Sequence, residues 1–186
     1  MKLTKLFEAQ QILENRIISE HPELRDQDNI PWKLLALQTE LGECANEWRG
    51  FKRWSHDQEP RIHVRKRGLI TRAVEYHNPL LEEYVDGLHL VLSIGLELTD
   101  EWVIDEDYAV YRFIKSTWNK VTTIEQFQVV YREIADFSRE YDVMTYIELV
   151  SQFLGLGEML GFTWNQIELA YISKNEVNLR RQENGY

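Results

Sequence analysis

Apolar residues recur every three or four positions along nearly the whole chain, and this spacing constrains the fold more than any other feature of the sequence. It writes one apolar stripe per helix and is incompatible with the strict alternation of a half-buried strand. Leu6, Phe7, Leu13, Ile17 and Ile18 predict a first helix, ended by His21-Pro22. Pro31 suits the first helical position of a second, whose apolar residues Leu34, Leu35, Leu37, Leu41 and Trp48 carry it to about Gly50. Asn78-Pro79 reads as an N-cap and first helical residue, with a third helix running to about Leu98. Further helices are expected over Asp105 to Trp118, from Thr122 to about Tyr141, from Val143 to Leu160, and from Thr163 to about Arg181. Thr122-x-x-Glu125 offers a capping box, and Gly161 suits a helix C-terminus. Strand signals are confined to Val103-Ile104 and Ile62-His63-Val64, neither with a partner run beside good turn residues. Lys52 to Tyr76 reads as a long polar irregular segment, of the kind that is often functional. The expected architecture is all-α: a single-domain helical bundle over residues 1–186 with two central acidic helices.

Charge narrows the function. The chain carries 21 basic and 31 acidic residues, for a net charge of −10. A nucleic-acid binder would present a basic face, so this class is excluded. A phosphorylated substrate fits such an acidic chain only if metal ions stand between carboxylates and phosphates. The single cysteine, Cys44, rules out an intramolecular disulfide; it lies in a helical pattern beside apolar residues and reads as a small core filler rather than a reactive thiol. The N-terminal MKLTKLFEAQQ lacks the unbroken apolar stretch of a signal peptide, and the apolar run from Leu88 to Leu98 is interrupted by His89, Ser93 and Glu97. A cytoplasmic protein that touches no membrane is expected.

Glu40, Glu43 and Glu47 are spaced i, i+3, i+7 and share one face of the second helix. On the third, Glu83 and Asp86 are i, i+3, and Glu82 and Asp86 are i, i+4. Each set alone also fits a solvated acidic face, and acids in a first helical turn are favoured by the dipole. Both helices are rich in Leu, Ile and Val, however, so both belong to the core. Packed antiparallel, they would bring their acids together, and four converging carboxylates suit Mg²⁺, which takes oxygen ligands and leaves positions for phosphates. Near the C-terminus, Lys174, Asn178 and Arg181 (i, i+4, i+7) place ammonium, amide and guanidinium donors on one stripe, suited either to phosphate oxygens or to a solvated, fraying helix end.

Glu40-x-x-Glu43 followed by Glu83-x-x-Asp86 resembles the ExxE…ExxD signature of the all-α NTP pyrophosphatases, which include the MazG-like proteins and the dimeric dUTPases. The ending Tyr171-x-x-Lys174-Asn175-x-x-Asn178-x-x-Arg181-Gln182-x-x-Gly185-Tyr186 resembles the phosphate-binding motif of the dimeric dUTPases. Phe51-Lys52-Arg53-Trp54 resembles their aromatic-Lys-x-Trp element, and Leu6-Phe7-Glu8-Ala9-Gln10 with Leu13 resembles their Gln-containing first helix. Two features depart from the pattern: Glu14 stands where the family places Asn or Asp, and about Asp100 to Leu160 carries no matching motif.

The resemblance implies hydrolysis of dUTP, and of dUDP, to dUMP in a homodimer, with pyrophosphate released from dUTP. It implies Glu40, Glu43, Glu83 and Asp86 as ligands of two or more Mg²⁺ ions, with Glu43 also acting as general base. Gln10 would read the base, Trp54 would pack against it, and Lys52, Lys174, Asn178, Arg181 and Tyr186 would meet the substrate. The segment from about 174 would be a mobile tail ordering over the nucleotide. His89, one turn beyond Asp86, would either support the site or belong to the core. Two other readings fit the acidic signature: a MazG-like pyrophosphohydrolase acting on dCTP or non-standard nucleotides, and a non-catalytic helical interaction protein.

Overall fold

The computed structural model describes residues 3–67, 74–98 and 122–185. Among these residues there are six α-helices: α1 (Thr4–Glu20), α2 (Ile30–Trp48), α3 (Pro79–Glu97), α4 (Thr123–Glu140), α5 (Val143–Met159) and α6 (Trp164–Glu183). The bundle is all-α apart from one hairpin, and no described helix is long and apolar enough to cross a membrane. The helix expected over Asp105 to Trp118 and the Val103-Ile104 run lie outside the described residues.

Side-chain caps set the helix ends, those at Asn78 and Thr122 as expected. The Asn78 side chain accepts from the Leu81 N–H at 3.0 Å, with Pro79 in the first turn. The capping box holds α4: the Thr122 hydroxyl accepts from the Glu125 N–H at 3.2 Å, and the Glu125 carboxylate accepts from the Thr122 N–H at 2.7 Å. Thr163 and Gln166 form a second box at the start of α6. Asp142 caps α5, and Gly161 lies just beyond its end at φ +89°, where only glycine is free of strain.

Two sequence expectations need correction. Leu35 is 66 % exposed, not part of the apolar face of α2. The buried stripe runs through Leu34, Leu37, Leu41 and Cys44, spaced three and four apart, and Leu35 falls off it. The segment after Lys52 is also not wholly irregular: β1 (Val64–Arg67) pairs antiparallel with β2 (Val74–His77), Val64 opposite His77. Val64 ends the only β-branched run there, and β2 has a single β-branched residue, so neither strand declares itself by composition.

The core is built where the stripes meet. Leu37, Leu80, Leu88, Leu92, Ile134 and Phe137 are sealed from solvent. Two tyrosines of this core pack over glycines on facing helices. Tyr84 of α3 lies over Gly157 of α5, and Tyr146 of α5 lies over Gly95 of α3, so closely that a methyl at either glycine would collide with the phenol. Each phenol also donates across the interface, Tyr84 to the Phe153 carbonyl at 3.3 Å and Tyr146 to the Val91 carbonyl at 3.1 Å.

The chain between α2 and α3 is fastened at both ends. Arg49 ends α2 in the left-handed conformation, and its buried guanidinium holds the Asp57 carbonyl at 2.7 Å and carboxylate at 2.9 Å. The Arg61 N–H donates to the Glu47 carbonyl, its guanidinium pairs with the Glu47 carboxylate at 3.1 Å, and its carbonyl accepts from Leu80.

Candidate active site

Early residues of α2 face late residues of α3: Lys33 meets Glu97, and Cys44 lies near Glu83. The helices therefore run antiparallel, which converts the two acidic spacings into one site. Glu40, Glu43 and Glu83 each offer a carboxylate oxygen, and the three oxygens lie within 4.8 Å of one another. Glu83 joins this group while Glu82 faces solvent. Lys174 pairs with the neighbouring Asp86, and its charge pulls Glu40 and Glu83 down against the larger effects of burial and repulsion. Burial first, then repulsion from Asp86 and Glu43, pushes the Glu40 carboxyl up to about 7. Burial, then Asp86, Glu43 and Glu40, pushes Glu83 up to about 7 as well. Cys44 packs beneath, 2 % exposed, its thiol pushed up chiefly by burial, and serves as the core filler expected of it.

Asp86 stands slightly apart. Its carboxylate accepts from the Lys174 ammonium of α6 at 2.5 Å, while burial raises its pKa and Lys174 and Arg181 pull it back. Beside it opens a cleft of about 280 Å³. Glu40 and Asp86 stand on its acidic side, Lys174, Asn178 and Arg181 on its α6 side, and Gln10 and His89 also line it. Residues 174–183, expected as a tail, continue α6 as helix, anchored by buried Tyr171 and Asn175; the Asn175 amide donates to the Ala9 carbonyl at 3.3 Å.

Gln10 is only 2 % exposed and is held by three side chains. Its amide donates to Glu14 at 2.8 Å, and its carbonyl accepts from the Tyr171 hydroxyl at 2.5 Å and meets His89 Nδ1 at 2.8 Å. Gln11 and Asn15, the neighbouring amides, bond each other on the exposed side of α1. Glu14 in turn accepts from the buried Lys33 ammonium at 3.2 Å, which also reaches Glu97 at 2.5 Å.

The Phe51–Trp54 element is not gathered into the cleft. Trp54 is 77 % exposed and touches Phe51 edge-on, and the Lys52 ammonium donates to Asn46 at 2.5 Å. Tyr186 lies outside the described residues. Sequence reasoning missed Lys33 and Tyr171 as parts of this network. Lys33 left one trace, a charge four residues before Leu37 on an otherwise apolar stripe.

Carboxylates of two antiparallel core helices, drawn together beside a cleft with cationic and amide donors on its far wall, are the arrangement that the resemblance to the all-α NTP pyrophosphatases implied. Comparison with family models makes the class particular: the model described as dUTPase matches residues 2–70 and 71–186, and the chain belongs to that family, in its dimeric type. It is a dUTP diphosphatase, hydrolysing dUTP to dUMP. No curated protein matches the chain.

Proposed function

We propose that hydrolysis occurs where the acid cluster opens onto the cleft. The observation that carries this reading is the convergence of carboxylate oxygens of Glu40, Glu43 and Glu83 within 4.8 Å of one another, beside the cleft that Glu40 lines. The donor set is all carboxylate oxygen, the chemistry a hard divalent cation takes. Burial and mutual repulsion raise two of the acids, and a cation at this point would relieve both. Glu40, Glu43, Glu83 and Asp86 would hold Mg²⁺, two or more ions per site. When bound, Mg²⁺ supplies positive charge that offsets the triphosphate and the charge developing on the reacting phosphoryl group.

The remaining work belongs to the chain. Glu43, the exposed member of the cluster, takes the proton from the attacking water as the bond between the α- and β-phosphoryl groups breaks. Lys174, Asn178 and Arg181 donate to phosphate oxygens from one face of α6, as the end of a tail that closes on the nucleotide with Tyr186. Gln10 reads the uracil from the cleft wall, Trp54 covers the base, and Lys52 reaches a phosphate. The protein acts as a cytoplasmic homodimer and accepts dUDP, releasing phosphate in place of pyrophosphate. The test is Mg²⁺-dependent product release from dUTP, dUDP, dCTP and dTTP. Turnover confined to the two uracil nucleotides is expected; equal turnover of dCTP would overturn the assigned base choice.

A further inference from the structure

Gln10 lines the cleft, and the order of its amide atoms is set from outside the cleft. An amide turned by half a rotation exchanges donor for acceptor with little change of shape. Three side chains hold this one: Glu14 at 2.8 Å, the Tyr171 hydroxyl at 2.5 Å and His89 Nδ1 at 2.8 Å. Two of them suit either order. A hydroxyl donates or accepts, and a ring nitrogen of neutral imidazole does one or the other according to its tautomer. Burial, then the Lys174 charge, pushes the His89 pKa down to about 3, so its ring is neutral. Only a carboxylate is one-sided. Glu14 accepts from the Lys33 ammonium at 3.2 Å, and in that ion pair its carboxylate has no proton to give. The NH₂ group of Gln10 therefore faces Glu14, and its oxygen faces Tyr171 and His89.

We infer that Lys33 is a positioning residue for base selection: its charge keeps Glu14 a pure acceptor and so locks the Gln10 amide in one order. The inference rests on the reading that Gln10 meets the base in the cleft. Two features support it. Lys33 is 2 % exposed and is not among the residues that line the cleft, so it acts without touching the nucleotide. The second feature is what each order leaves for a ligand. As locked, the Gln10 oxygen has both lone pairs occupied and one N–H is bonded, so one N–H is left over. That donor suits the keto oxygen O4 of uracil and opposes the amino group of cytosine. Turned over, the amide would spend both N–H groups on Tyr171 and His89 and keep one lone pair, which suits the amino group instead. An amide free to turn would accept both bases. Discrimination by Gln10 thus requires the lock, and Glu14 is the one-sided partner among the three that hold it.

The experiment pairs side-chain NMR of the full-length chain with turnover of dUTP and dCTP, in the unaltered protein and in Lys33→Met, Glu14→Gln and Glu97→Gln. Overhauser contacts from the Gln10 NH₂ protons to the Glu14 γ-protons report the locked order, and contacts to the Tyr171 ring report the reversed one. The unaltered protein should show the locked order alone. In Lys33→Met the stranded Glu14 carboxyl takes a proton and becomes two-sided, so both contacts should appear. Glu14→Gln installs a two-sided partner directly while Lys33 keeps Glu97, which preserves the test if Lys33→Met fails to fold. Both variants should narrow the dUTP-over-dCTP ratio of kcat/KM by about tenfold or more. Glu97→Gln leaves the Lys33–Glu14 pair in place and should keep both the amide order and the ratio. An equal loss of ratio in all three variants would make the cluster merely structural and overturn the inference. An amide that stays locked in Lys33→Met and Glu14→Gln overturns it as well, and leaves Gln10 standing as the base reader. An amide that turns while the ratio holds overturns the reading of Gln10, and this inference with it.

Discussion

Two clusters of carboxylates lie along the antiparallel pair α2–α3, one of them completed by Glu14 of α1, and they are treated in opposite ways. At one end Glu14 and Glu97 converge on Lys33, which is 2 % exposed, and the protein supplies its own counter-charge. About two turns along α2, Glu40, Glu43 and Glu83 converge, and the nearby Lys174 is paired with Asp86. Burying an unpaired charge is costly, and this cluster shows that cost as two carboxyls raised to about 7. The closed cluster holds the helices and orients Gln10; the open one is left for chemistry. Lys174 stands between the two treatments. It pairs with Asp86, and its charge reaches Glu40 and Glu83 only as a smaller effect against burial and mutual repulsion.

The comparison can be broken at four points. The largest effect is expected from Glu43→Gln, which should lower kcat by roughly 10²–10⁴-fold while circular dichroism and melting stay unchanged. Unaltered kcat would remove Glu43 as the base. Next, Lys33→Met in the closed cluster should destabilise the fold by about 3–5 kcal/mol in denaturant titration, because it strands two carboxylates; a loss below about 1 kcal/mol would mean that solvent, not Lys33, balances them.

The third point is pH. Glu40 and Glu83 have raised pKa values, so their protons favour the folded state. That stability is fully present below the ordinary carboxylate pKa of about 4.3 and is lost as pH rises through about 7. Without Mg²⁺ the melting temperature should therefore fall modestly from pH 5 to about 8. Mg²⁺ needs the ionised acids, so its affinity should rise over the same interval and abolish the fall. Isothermal titration calorimetry and thermal melts at several pH values check both, and a pH-independent Mg²⁺ affinity would contradict the open-cluster account. The smallest effect belongs to Glu82→Gln. Glu82 shares the helix but faces solvent, and its loss should change kcat/KM by less than about twofold.

What could be read in the sequence follows a physical division. The helical period turns spacing into direction, so Glu40, Glu43 and Glu83 were recoverable as soon as two core helices were recognised. The caps at Asn78 and Thr122 act within four residues and were equally plain. The fate of Asp86 was not, because it is decided by Lys174, 88 residues away on another helix. Gln10 could be picked out, but its bonds to Glu14, His89 and Tyr171 required three helices to be placed together. The exposed Trp54 illustrates the converse: an aromatic in a familiar element, turned to solvent.

The reciprocal tyrosine–glycine contacts have a mechanical consequence. Tyr84 into Gly157 and Tyr146 into Gly95 act as two pegs set in opposite directions, and together they index α3 against α5. A slip of one helical turn, about 5.4 Å, would drive each phenol into a backbone that bears a side chain. The peg at Tyr84 sits next to Glu83, so the indexing also fixes how far along the bundle that carboxylate stands from Glu40 and Glu43. A substitution such as Gly157→Ala, well away from the nucleotide, would be felt first as a change in the spacing of the acids.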